Sequence, residues 1–307
     1  MARSTSSAAL IGTVVLALAV PAARAETIAV INAHIYSMGP AGEIASGTVV
    51  VSNGRVTAVG ARVAAPAGAR VIDARGGVVT PGLVSTGTPL STVEIAEGVE
   101  ETNDNATASD KLSAAFDVQY AVNPESVLIP IARLGGITDA IVTPTIGGRR
   151  PRRDMLFAGQ AVVIHLGQGG DLVEQAHAGV VLVMGEEGAK IAGGSRAAEF
   201  GLLRAMFEDV RAYARNRVNY DLGHSRAYDL SREDLEALIP VVEGKEPLIV
   251  RVHRAADIRQ VLRLAHEQSL KVILEGAEEA WRTSGTPRAQ LGPSREARPA
   301  DGDIDVA

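Results

Sequence analysis

The sequence predicts an α/β fold: a small β-sheet segment followed by a larger region in which strands and helices alternate. Three observations predict it. Asn53-Gly54 separates two apolar β-branched runs, and a turn with positive φ at both central residues is what that pair favours in a hairpin. From about residue 124 apolar strand-like runs alternate with helical patterns, the rhythm of a parallel sheet with crossover helices. The chain has 307 residues, of which 46% are hydrophobic, enough to build a packed core and to exclude global disorder.

The first 25 residues are set apart from the fold. Ala8 to Val20 is an apolar run behind Arg3, and Pro21 leads into Ala23-Arg24-Ala25, a small-x-small cleavage pattern. Thirteen apolar residues are too few to cross a hydrocarbon core of about 30 Å. The expectation is a secretory signal peptide over 1–25, a product that is periplasmic or secreted, and no membrane anchor after cleavage. The chain has no cysteine, which excludes disulfides, thiolate metal sites and a cysteine nucleophile. A net charge of -6 gives no pull toward nucleic acid.

Residues 26–79 read as a small antiparallel sheet with glycine turns. Thr27 to Tyr36, Thr48 to Val51, Val56 to Val59 and Arg70 to Asp73 supply its strands. In the larger region the strand candidates are Ile137 to Val142, Ala161 to Leu166, Val180 to Met184, Leu248 to Val252 and Val272 to Leu274. Ala197 to Tyr213, Arg232 to Val242 and Ala255 to Gln268 have helical periodicity. Ser231 is an N-cap candidate for the second of these helices. A (β/α) barrel and an open doubly wound sheet both satisfy this pattern. The polar, acidic stretch from Thr86 to Asn123 reads as a solvated loop, with a loop over the mouth of a barrel as the alternative. Gly167-Gln168-Gly169-Gly170 is a poor match to a phosphate-binding turn. The basic cluster 147–153 reads as another solvated loop, with an anion-binding lid as its alternative.

Two stretches carry a family resemblance. One is Ser46 to Gly60, S-G-T-V-V-V-S-N-G-R-V-T-A-V-G. The other is Ala69 to Leu83, A-R-V-I-D-A-R-G-G-V-V-T-P-G-L. Together they resemble the opening of the amidohydrolase superfamily, the imidazolonepropionase-like metal-dependent hydrolases. Ala115-Phe116-Asp117, Ala158-Gly159-Gln160, Ala192-Gly193-Gly194-Ser195-Arg196 and Arg251-Val252-His253-Arg254 are similar to an exported bacterial branch. The resemblance runs from about residue 27 to 281. Arg282 to Ala307 then has the composition of a disordered tail.

The resemblance implies an incomplete (β/α)8 TIM-type barrel over 80–281, preceded by a small β-sandwich segment over 26–79. A truncated or frameshifted reading frame would explain the abrupt stop. Val79, Leu83, Val272 and Leu274 are expected to point into the barrel and to lose neighbours there, leaving an edge that invites association. The family activity is hydrolysis of non-peptide C–N bonds, amide or cyclic amide, in a small-molecule substrate. A divalent metal, Zn²⁺ in particular, activates water for it.

Matched residue by residue, Gly87 and Pro89 fall at the family's His-x-His pair and Gly276 at a further histidine. His253 is the one retained candidate ligand. One imidazole does not make a catalytic site that needs about three protein ligands. The reading is therefore an impaired or inactive family member with no bound metal. Its alternative is a non-catalytic binding protein, or an inactive partner subunit of a catalytic homologue in a homo- or hetero-oligomer.

Overall fold

The computed structural model describes residues 26–95, 103–109, 111–147, 155–167 and 170–283. The signal peptide, most of the basic cluster, Gln168-Gly169, Glu97, Glu100, Glu101, Asp110 and the stretch from 284 to 307 lie outside the described residues. The chain forms two compact units that divide after Pro81.

The first unit is one five-stranded sheet. Its strands are β1 (Thr27–Tyr36), β2 (Glu43–Ser52), β3 (Arg55–Gly60), β4 (Arg70–Asp73) and β5 (Val78–Val79), in the order β3-β2-β1-β4 with β5 also on β1. Asn53 and Gly54 have φ of 54° and 71°, the two positive values that the hairpin requires. The expected all-antiparallel pairing holds for β1, β2 and β3 only. Strands β4 and β5 run parallel to β1. Residues 61–69 carry the chain from β3 across to the far side of β1, and a parallel pair needs such a crossover. Val79 packs against Ala33, Ile35 and Val49 in the core of this unit, not inside a barrel.

The second unit opens with β6 (Leu83–Thr88), β7 (Ala106–Thr107), α1 (Leu128–Leu134), β8 (Ile137–Val142) and β9 (Thr145–Ile146). The hairpin β10 (Phe157–His165) and β11 (Val173–Val183) follows. Then come α2 (Glu186–Ile191), α3 (Arg196–Arg215), α4 (Arg217–Asp221), α5 (Arg232–Val242), β12 (Leu248–Val252), α6 (Ala255–Gln268) and β13 (Val272–Gly276). Six strands form a barrel-like sheet in the order β6-β8-β10-β11-β12-β13. Five of them are mutually parallel, and β10 runs antiparallel to β8 and β11. This corrects a uniformly parallel sheet. A loop of seven residues between β10 and β11 is too short for a crossover, so the two strands fold back as a hairpin.

The faces of the sheet separate cleanly. One face carries Val180, Leu182, Val250, Val252 and Leu274 into a core shared with Leu203, Phe207, Leu235 and Ile258 of the helices. The opposite face carries Ala161, Val181, Val183 and Ile249, joined by Ile141 and Ile273. Val272 and Leu274 thus belong to the helix layer, contrary to the inward assignment. Alternation sends Ile273 and Glu275 the other way. Leu83 is exposed.

Local chemistry fixes the connections. The Ser231 hydroxyl accepts from Asp234 N–H at 3.1 Å and caps α5. Buried Asp234 accepts in turn from the backbone of Ser113 and Ala115, at 2.8 and 2.9 Å. Gly159 has φ 137°, and a Cβ there would fall 2.4 Å from the Phe116 carbonyl. Only glycine lets the 113–117 segment lie so close. Asn105 donates to the Thr143 carbonyl at 3.1 Å and is buried. Asn105 thus ties the acidic segment to the residue just past the C-terminal end of β8.

Candidate functional site at the strand ends

The C-terminal ends of β6, β8, β12 and β13 surround a cavity of about 270 Å³. Its floor is Ile141, Ile249 and Ile273, and its polar lining is Thr86, Thr143 and Glu275. Arg251 and Glu275 are register partners on β12 and β13. The Arg251 Nε–H donates to Glu275 Oε1 at 2.6 Å, and both side chains are less than one-fifth exposed, at 17% and 15%. The guanidinium also reaches Thr143 Oγ1 at 3.4 Å. Glu275 Oε2 is buried with no hydrogen-bond partner. A half-used carboxylate in such a place is costly unless something meets it.

The structure brings several of the sequence candidates to this mouth. Gly87 and Gly276 both line the cavity. A Cβ at Gly87, φ 63°, would fall 3.2 Å from Glu275 Cδ, so the outermost strands β6 and β13 approach each other there. A Cβ at Gly276 would fall 2.6 Å from the His253 ring. Pro89 lies past the end of β6, where its carbonyl accepts from Thr92 and Val93. His253 follows β12 and is turned to Glu278, its Nδ1 at 2.6 Å from Oε2, with both side chains more than half exposed. Glu278 lies below the ordinary carboxylate range, chiefly through its own backbone N–H and next through His253.

Among the described residues, this mouth offers few side-chain donors to a divalent metal. Gly87, Pro89 and Gly276 offer no side-chain donor, and His253 is the sole imidazole among them. The space beside Glu275 is taken by the Arg251 guanidinium. A divalent cation within about 4 Å of it would meet repulsion of roughly 8 kcal/mol at an effective dielectric of 20.

Sequence reading missed Glu275 as the partner of Arg251. The signal was present, since β12 and β13 have equal lengths and residues 251 and 275 hold the same place in each. It also missed Glu199 on α3. Glu199 is 1% exposed and accepts from Gly185 N–H at 3.0 Å, just past the end of β11. Burial pushes its pKa to about 7, against the Gly185 hydrogen bond. His177 lies in β11 with φ 51° and pairs with Asp117 at 2.9 Å. His165 lies at the other end of β8 from the mouth, opposite Asp139.

No protein-family model matches the chain. A 58-residue stretch is 48% identical to a 5'-deoxyadenosine deaminase of Methanosarcina mazei, covering 19% of this chain and 13% of the deaminase. The fold superposes on the crystal structure of an amidohydrolase from Thermotoga maritima with a TM-score of 0.67. That match has 24% identity over 84% of this chain and 66% of the other. The chain thus spans 13% and 66% of the lengths of these two relatives. In its α/β fold and its barrel-like sheet, this chain is similar to that solved amidohydrolase structure.

Proposed function

We propose that this protein uses an amidohydrolase-type mouth to bind a small molecule and has lost metal-assisted hydrolysis of C–N bonds there. The observation that carries the reading is the Arg251–Glu275 ion pair. It stands at the strand ends between Gly87 and Gly276, where a ligand set would have to converge. The relatives support a hydrolase-family origin, and the residues at the mouth support the loss. The cavity has an apolar floor of isoleucines and a rim with Thr86, Thr143 and Glu275. That lining suits a molecule with an apolar body and one polar end, the usual division of labour in small-molecule sites.

The test is an assay of the purified chain against amide and cyclic-amide substrates, with and without added Zn²⁺. Ligand binding is followed in parallel by thermal shift. The expected outcome is no turnover in either condition, and stabilisation by a subset of the same compounds that is lost in Arg251→Met. Zn²⁺-dependent turnover abolished by Glu275→Gln would overturn the reading.

A further inference from the structure

Four histidines in the described residues lean on a carboxylate: His34 on Glu43, His165 on Asp139, His177 on Asp117 and His253 on Glu278. Only the pair at the start of β8 has a third donor. Asp139, His165 and Glu174 each place one ligand-type atom within 4.8 Å of the other two. We infer that these three side chains form a divalent-cation site of their own, separate from the mouth.

Three adjacent strands hold the group. Asp139 on β8 is the register partner of His165 on β10, and Glu174 lies on β11 beside Val173, the partner of Ile164. The backbone around His165 is pinned, with His165 N–H on the Leu172 carbonyl at 2.8 Å and Leu166 N–H on the Thr138 carbonyl at 2.7 Å. Gly167 makes room for the imidazole, since a Cβ there would fall 2.9 Å from His165 Cδ2.

The carboxylate of Asp139 is oriented as a metal ligand needs. The Thr138 hydroxyl donates to Asp139 Oδ2 at 2.6 Å, and Oδ1 faces His165 Nδ1 at 2.7 Å. Such an outer partner fixes which oxygen is presented. Two donors around one Zn²⁺ at ~2.0–2.1 Å sit roughly 3.3 Å apart. The cation would open the 2.7 Å pair by about half an ångström and draw Glu174 in. His165 is 57% exposed, so water completes the coordination. One imidazole and two carboxylates select a borderline cation such as Zn²⁺ over Mg²⁺. Asp139 precedes Thr143 by four residues, about 13 Å along an extended strand, so this cation would not act at the mouth.

The experiment is titration of the purified full chain with ZnCl₂ by calorimetry, with Co²⁺ absorption as the second readout. Expected are one Zn²⁺ per chain and a Co²⁺ spectrum of mixed nitrogen and oxygen ligands. Affinity should fall at least tenfold in His165→Ala and in Glu174→Gln, and stay unchanged in His177→Ala. Circular dichroism checks that each variant is folded. Absence of saturable binding, or binding that survives His165→Ala because other carboxylates hold the ion, overturns the site. Zn²⁺ binding that responds to Arg251→Met but not to His165→Ala would instead sink the metal-free mouth, so the two proposals fail separately.

Discussion

The mouth and the start of strand β8 carry charged clusters of opposite design. At the mouth a guanidinium and a carboxylate are largely out of solvent and bonded to each other. At the start of β8 an imidazole and two carboxylates are open to water and only loosely gathered. The first arrangement fixes its own charges, and little is left to exchange with a cation. The second leaves donors available. The same sheet therefore separates an ion pair that holds the structure from a group free to take a ligand.

The sharpest way to break this comparison is to remove one partner at the mouth. Glu275→Ala leaves Arg251 buried without a counter-charge, which typically costs about 3–5 kcal/mol. The double change Arg251→Met with Glu275→Leu removes both charges and should recover most of that loss. Chemical denaturation checks both. A loss under about 1 kcal/mol in the single variant would show the pair is effectively solvated and the comparison empty.

The next effect is one of pH. Glu199, beside the turn after β11, and Glu246, just before β12, are both raised to about 7, chiefly by burial. The Gly185 N–H opposes the shift at Glu199, and His177 opposes it at Glu246. A carboxyl raised in the folded state holds its proton where the unfolded chain has lost it. Stability from each is therefore full below about pH 4.3 and falls as pH rises to about 7. The decline amounts to at most about 4 kcal/mol per group. Denaturation curves between pH 4.5 and 7.5 should slope downward in the wild type, and Glu199→Gln with Glu246→Gln should flatten them. An upward slope in that window contradicts the assignment.

Gly87 gives a smaller effect at the same mouth. Its φ is 63°, and a Cβ would stand 3.2 Å from Glu275 Cδ. Gly87→Ala should cost about 1–2 kcal/mol through backbone strain and displacement of the carboxylate. In a Glu275→Ala background the steric part should vanish and only the strain remain, a non-additivity that a double-mutant cycle measures.

Much of the scaffold was legible because its signals are local. Ile137–Val142, Leu248–Val252, Arg232–Val242 and Ala255–Gln268 have the expected bounds, being apolar runs or clear helical periods. Ser231 caps as expected because its hydroxyl needs only the third residue on. The first half of β11, with Glu174, Gln175 and His177, was not legible. It is polar and mostly exposed, and only pairing with β10 makes it a strand. The direction of β10 was hidden for the same reason. Without that direction nothing places His165 opposite Asp139, so the three-donor group was invisible. Arg251 was legible only as part of the Arg251-Val252-His253-Arg254 stretch. Its partner required knowing that β12 and β13 are neighbours in register.

The smallest effect tests the other side of the comparison. His165 and Asp139 form a half-exposed pair with few packing contacts to lose. Such pairs contribute about 0–1 kcal/mol, because water solvates either partner once the other is gone. His165→Ala without metal should therefore shift the unfolding midpoint by less than a few degrees, while Glu275→Ala at the mouth shifts it severely. That smallness gives the zinc titration its meaning, since a variant that stays folded loses binding only by losing a donor. Should His165→Ala prove as destabilising as Glu275→Ala, the cluster at the start of β8 would itself be a structural ion pair, and the contrast between the two sites would be gone.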